Sequence, residues 1–239
     1  MTTSTLDPRE LREEGCWVYY CGVDLLYFVD ERLGFIRYFY EKAAGLFHET
    51  KRKIEEHEEP YDDPGYGSEY QDAPPFLEEW ENADAAANIT GATCLDLLQS
   101  TFHSFLHQYM REIGGAHLIP HLREMKKGSW FGNYRELFRR LLDIEWEKSG
   151  ADIQFLEQVI LTRNDFSHNL ELGSLTAYQT DEHSKKYPES AFADLRWRRL
   201  FAQKPLIVPK DRVDQAIEVV HRLCEYLEEL RHDIVRKHR

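Results

Sequence analysis

The sequence predicts an all-α protein, an antiparallel helical bundle of four to six helices with a long irregular insertion before the last helix. Three observations predict it. Apolar residues recur at intervals of three and four over long stretches, the spacing of one helix face. Those stretches are separated by a few irregular connectors marked by Gly and Pro, which makes an antiparallel bundle the natural architecture. The one extended candidate, Pro205-Leu206-Ile207-Val208-Pro209, is short and bounded by proline, so it makes at most a small piece of strand.

From residue 16 to about 59, Val18, Leu25, Leu26, Val29, Leu33, Ile36, Phe39, Tyr40, Leu46 and Phe47 follow helical periodicity, as one long helix or a broken pair. Residues 61 to 75, dense in Pro, Gly, Asp and Tyr, read as a loop. A second helix is expected from about 76 to 113, with Leu95, Leu98, Phe102, Phe105, Leu106 and Tyr109 as its apolar stripe and Gly114-Gly115 as its stop. Ile119-Pro120 opens a short connector. Ser129 or Asn133 caps a third helix carrying Leu137, Leu141, Leu142 and Trp146 towards Gly150. A fourth helix, from 151 to about 169, turns Phe155, Leu156, Val159, Ile160 and Phe166 inward, and Gly173 ends it or follows its end closely. Periodicity fades from 174 to 210. Asp211 is a good N-cap for a last helix with Val213, Ile217, Val220, Leu223, Leu227 and Leu230 on one side. Residues 1–75 are expected to form a helical extension with an acidic loop, and 76–239 the principal helical domain.

At 239 residues, 42% apolar and 13% aromatic, the chain can build a sizeable core without staples. Cys16, Cys21, Cys94 and Cys224 show no C-x-x-C pair and no zinc-ligand spacing, which fits a reduced compartment. No apolar leader or membrane-spanning run is visible, so a cytoplasmic protein is expected. The net charge of −13 argues at first against nucleic acid, because phosphate binding rests on Lys and Arg. The excess is concentrated, however: residues 49 to 84 hold 13 acidic and 3 basic side chains, whereas 185 to 212 hold 8 basic and 3 acidic.

The chemically pointed segment is Arg163-Asn164-Asp165-Phe166-Ser167-His168, at the end of the fourth helix. Positions four apart share a helix face, so the Asn164 amide is placed to hold the His168 imidazole. Arg163 lies about 140° round the helix from His168, and both can line a groove at its edge. Cleaving RNA without a metal needs a base for the 2′-hydroxyl, an acid for the departing 5′-oxygen and a cation for the charge building on phosphorus. Imidazole suits both proton transfers near neutral pH, and guanidinium gives phosphate a permanently charged fork. One chain offers one such histidine, so a two-fold dimer is expected to bring two imidazoles and two guanidinia to one phosphate.

This R-N-x-x-x-H pattern on a late helix resembles the HEPN superfamily, the higher eukaryote and prokaryote nucleotide-binding domains, whose signature is Arg, four to six residues, then His, often with a polar residue directly after the Arg. Arg163, Asn164 and His168 match all three positions, and the helix order fits from about 76 to the C-terminus. The resemblance implies a metal-independent endoribonuclease leaving a 2′,3′-cyclic phosphate, commonly in toxin–antitoxin or antiphage defence. It implies Arg163, Asn164 and His168 as catalytic residues, RNA as substrate, a homodimer, no cofactor or metal, and an antitoxin or regulatory protein as a further partner. Some toxins of the superfamily carry a Tyr two residues after the His, the target of a nucleotidyltransferase antitoxin; Leu170 stands there, so that partnership is not expected. A catalytically silent HEPN-like nucleotide-binding or protein-interaction module is the alternative. R-x-x-x-x-H alone arises about once by chance in a chain of this composition, and Arg52 to His57 is such a decoy; the Asn beside Arg163 makes the difference.

Other features carry competing readings. Arg196, Trp197, Arg198 and Arg199 combine guanidinia with a ring that can stack a base, and equally describe a charged helix face with Trp197 packed inward. His103 and His107 have metal-ligand spacing, with Asp96 or His121 as further candidates, but their apolar neighbours favour boundary histidines. Arg135, Arg139 and Arg140 extend a positive rim or simply decorate an amphipathic helix. Gly65-Tyr66-Gly67-Ser68 reads as a turn, and the acidic run as solvated surface or as a face for a basic partner.

Overall fold

The structure is a computed structural model that describes residues 24–62, 74–124, 129–168, 175–194 and 204–237. Among these it is an all-α helical bundle with no strand. Its helices are α1 (Leu25–Glu55), α2 (Leu77–Glu112), α3 (Ile119–Glu124), α4 (Trp130–Leu141), α5 (Ile153–His168), α6 (Asp181–Lys186) and α7 (Lys210–Lys237). Single 3₁₀ turns cover Gly115–Leu118 and Trp146–Ser149. No helix among the described residues is long and apolar enough to cross a membrane.

Contacts among the described residues cluster into two compact units. The first lies within Met1–Glu31, Ser100–Ile153 and Val219–Arg239, the second within Arg32–Gln99 and Gln154–Glu218. The α1 residues from Arg32 onward thus belong to the same unit as α5.

The first unit is organised by aromatic packing. Trp146 is fully buried, with ring centroids 5.3 Å from Phe131, 5.6 Å from Phe138 and 5.8 Å from Phe102, all near edge-on. Such pairs contribute about 0.5–1.5 kcal/mol each beyond their buried area. Ser129 caps α4, its hydroxyl accepting from Gly132 N at 3.2 Å, as its sequence position predicts. The helix stops at Leu141, well short of Gly150. Asp143 takes a positive φ of 55° and Ile144 N folds back to Phe138 O, so Trp146 enters the core from a 3₁₀ turn rather than from the helix. Deep in the same unit Arg231 pairs with Glu228 and lies 3.8 Å from Glu112.

The second unit holds the site. In it α1 and α2 run antiparallel: Cys94 Sγ donates to Ile36 O at 3.9 Å, and further along Lys51 pairs with Asp84. α1 is likewise antiparallel to α7, through Arg37–Asp214 at 3.1 Å and Glu41–Lys210 at 3.4 Å. Its core takes Leu33, Ile36 and Ala44 from α1, Cys94, Leu95 and Leu98 from α2, Phe155, Leu156, Val159 and Ile160 from α5, and Val213, Ala216 and Ile217 from α7. The five apolar positions expected to face inward on α5 are all buried.

Two sequence expectations are corrected here. Asp211 is not the N-cap of α7 but lies in its first turn; the Pro209 carbonyl starts the helix, accepting from Arg212 N and Val213 N at 3.1 and 3.2 Å. Proline has no N–H to lose there, and the acid still favours the positive helix end. The stretch from 174 to 210 is not irregular throughout. It contains α6, capped by Thr180, and isolated antiparallel bridges Tyr178–Pro205 and Ala193–Leu206. These bring Leu206 and Val208 into the core, where Gly91 of α2 admits them: a Cβ on Gly91 would lie 2.4 Å from Val208 O.

Candidate active site

α5 begins after Gly150, which adopts the left-handed conformation at φ 71°, and Ser149 Oγ accepts from Ala151 N to fix the entry. Its last turn carries the motif. Arg163 and Asn164 are half-buried, whereas Ser167 and His168 are exposed at the helix end.

The Arg163 guanidinium is held on both sides. Nε and Nη2 each lie 2.5 Å from Asp96 Oδ1 of α2, and Nη1 donates to Asn164 Oδ1 at 3.2 Å. The Asn164 amide is thereby engaged by the guanidinium and not by His168. The guanidinium, a permanently charged donor, is a strong partner for that amide oxygen. The expected Asn164–His168 hydrogen bond is therefore absent among the described residues. The structure brings Arg163, Asn164 and Asp96 together and leaves His168 open at the end of the same helix.

The Arg163–Asp96 pair is accessible. The arginine side chain is 26% exposed and the aspartate 45%, enough for solvent to screen the attraction. Pairs of this kind contribute about 0–1 kcal/mol, so an entering phosphate can exchange with Asp96 at little cost in stability.

Asp165, inside the motif, is a residue that the sequence reading missed. It is 3% exposed, on the buried face of α5, and its Oδ2 accepts from His183 Nδ1 of α6 at 2.6 Å. Thr180 N approaches the same oxygen at 3.4 Å, and the Thr180 hydroxyl caps His183 N at 3.3 Å. His183 is 1% exposed, and its Nε2 has no hydrogen-bond partner among the described residues. Because the carboxylate accepts, Nδ1 carries the hydrogen of this bond. No signal in the sequence marks it: by helical phase Asp165 falls away from the stripe of Phe155, Leu156, Val159, Ile160 and Phe166, and its partner His183 comes from α6.

The other candidates separate. Residues 195–203, including Arg196, Trp197, Arg198 and Arg199, lie outside the described residues, as do the Gly65–Ser68 turn and Leu170. His103 stands edge-on to Trp130 and Tyr134 at 5.0 and 5.6 Å; burial, then neighbouring His107, hold its pKa below the ordinary imidazole value. Arg135 pairs with Glu147, and Arg139 and Arg140 with Glu136, which is ordinary decoration of an amphipathic helix. No cluster of three or more metal-ligating side chains occurs among the described residues. No protein-family model, curated protein or solved structure matches the chain.

Proposed function

We propose that the chain is a metal-independent endoribonuclease of HEPN type that acts as a homodimer, in the manner of a toxin or an antiphage effector. The observation that carries this reading is the anchored yet accessible Arg163 guanidinium on the helix that ends in an exposed His168.

In this scheme Asp96 and Asn164 orient Arg163 before RNA arrives, and the phosphate takes over part of the guanidinium fork. One His168 removes the 2′-hydroxyl proton, and the 2′-oxygen attacks phosphorus. The bond to the 5′-oxygen breaks, and that oxygen takes a proton from His168 of the second copy. The products are a 2′,3′-cyclic phosphate and a free 5′-hydroxyl, with both imidazoles ready to exchange protons for the next turn. Both Arg163 guanidinia face the extra charge on phosphorus.

One observation favours the silent alternative: Asp96 occupies the arginine face that a phosphate needs. A nucleotide-binding or protein-interaction module would bind RNA or nucleotide without turnover. Incubating RNA with purified protein in EDTA separates the readings. Cleavage lost in both Arg163→Ala and His168→Ala supports the nuclease; binding without cleavage in the wild type supports the module.

A further inference from the structure

α1 carries two apolar faces, and the described chain covers only one. Leu25, Val29, Leu33, Ile36, Tyr40 and Ala44 are buried. Roughly opposite them, Tyr27, Phe28, Phe35, Tyr38 and Leu46 are 56–72% exposed, all within an arc of about 120°. A helix that is apolar on both sides is normally packed on both sides.

The exposed positions have a regular order. Phe28, Glu31, Phe35, Tyr38, Lys42 and Gly45 follow one another at alternating steps of three and four, the heptad spacing of a helix–helix seam. They lie on one uninterrupted helix, so helix geometry alone relates them.

We infer that this face of α1 pairs antiparallel with the same face of a second copy of the chain, across a two-fold axis passing between Ile36 and Arg37. The register follows from matching the seam to itself. Phe28 meets Gly45 of the second copy, Glu31 meets Lys42, and Phe35 meets Tyr38, each with its symmetric reverse. On the flanks Tyr27 comes level with Leu46, and Gly34 with Phe39.

Size and charge both complement in this register. A Cβ on Gly34 or Gly45 would meet nothing within 4 Å in the single chain, so each glycine is an open notch, and in the pair each lies against a phenylalanine. Glu31 and Lys42 are exposed and form no salt bridge among the described residues. Slipping one copy by a heptad sets Glu31 against Phe35, or Lys42 against Tyr38, and strands the charge. A polar pair at one level of an apolar seam is a known way to fix register. A second copy also fits better than a lipid surface. Between Tyr27 and Leu46 three acidic side chains, Asp30, Glu31 and Glu41, balance three basic ones, Arg32, Arg37 and Lys42, without the excess of Lys and Arg that helices lying on membranes carry.

The inference rests on α1 and not on the nuclease reading. Sedimentation velocity of the purified full chain should show a dimer, and the double variant Phe35→Glu/Tyr38→Glu a monomer with unchanged helical circular dichroism. Glu31→Lys alone should weaken the dimer by about tenfold or more through like-charge contact, and Glu31→Lys/Lys42→Glu should restore it to within a few-fold. A wild-type monomer, a dimer indifferent to Phe35→Glu/Tyr38→Glu, or a double charge swap that fails to restore association overturns the proposal. So does binding of the wild type, but not of the Phe35/Tyr38 variant, to vesicles of phosphatidylcholine and phosphatidylserine.

Discussion

Asp165 Oδ2 and His183 Nδ1 meet at 2.6 Å with both side chains sealed from solvent, tying α6 to α5 two residues beyond Arg163. The pair fixes the direction of the last turn of α5 from its buried side, while Asp96 and Asn164 hold Arg163. The motif is thus braced through Asp165, although neither Asp165 nor His183 takes part in the proposed chemistry.

Breaking that pair from one side leaves a buried group without its partner, which typically costs about 1–3 kcal/mol. Asp165→Ala should accordingly lower stability by about that amount in urea denaturation, with the midpoint shifted and the slope unchanged. A loss below about 1 kcal/mol would show that the pair is not the brace described.

Asp96 is the opposite case, because its pair with Arg163 is open to solvent. Asp96→Asn should change stability by no more than about 1 kcal/mol. By removing the competitor for the guanidinium, it should also tighten RNA binding several-fold in a fluorescence-anisotropy titration at fixed salt. Weaker binding would mean that Asp96 matters more for aiming Arg163 than for competing with phosphate.

Gly91 faces Val208 at close range, with 2.4 Å between a built Cβ and the Val208 carbonyl oxygen. Gly91→Ala should cost about 1–3 kcal/mol despite alanine's better helix propensity, since backbone must move. Gly34→Ala, where nothing stands within 4 Å, should gain up to about 1 kcal/mol for the single chain. Thermal melts of the two variants, the second in a Phe35→Glu background, check the contrast.

Alkaline pH should destabilise the fold. Burial pushes the Cys94 thiol and the Tyr40 hydroxyl up to about 12 each, and raises Cys224 and Tyr109 as well. A group whose folded pKa is raised keeps its proton in the native state after the unfolded chain has lost it. Its contribution is complete below the unfolded pKa, near 9 for the thiols and 10 for the phenols, and is lost as pH rises through the folded value. Denaturant midpoints should therefore fall steadily above about pH 9. Cys94 and Cys224 should resist iodoacetamide at pH 8 until the protein unfolds. Rapid native alkylation of either would contradict their burial.

Most of the fold was legible because it rests on local periodicity. α2 fills Leu77–Glu112, almost the whole of the expected span, since its stripe is long and Gly114-Gly115 closes it. The inward face of α5 and the Ser129 cap followed from the same kind of signal. What stayed hidden depends on distant partners. Trp146 kept helical phase with Leu142 but enters the core from a separate turn, and phase alone cannot show a break at Asp143. The bridges Tyr178–Pro205 and Ala193–Leu206 join segments that carry little pattern of their own. At the site, Arg163, Asn164 and His168 stood out by spacing, whereas Asp96, 67 positions away, and His183 are found only in three dimensions.

How the phosphodiester breaks is recorded in the ends of the product. RNA incubated with the protein in EDTA should yield fragments whose mass identifies a 2′,3′-cyclic phosphate on one end and a 5′-hydroxyl on the other. His168→Ala of unchanged helicity should yield neither. Cleavage that needs a divalent ion, fragments ending in 3′-hydroxyl and 5′-phosphate, or undiminished activity in His168→Ala would contradict the account.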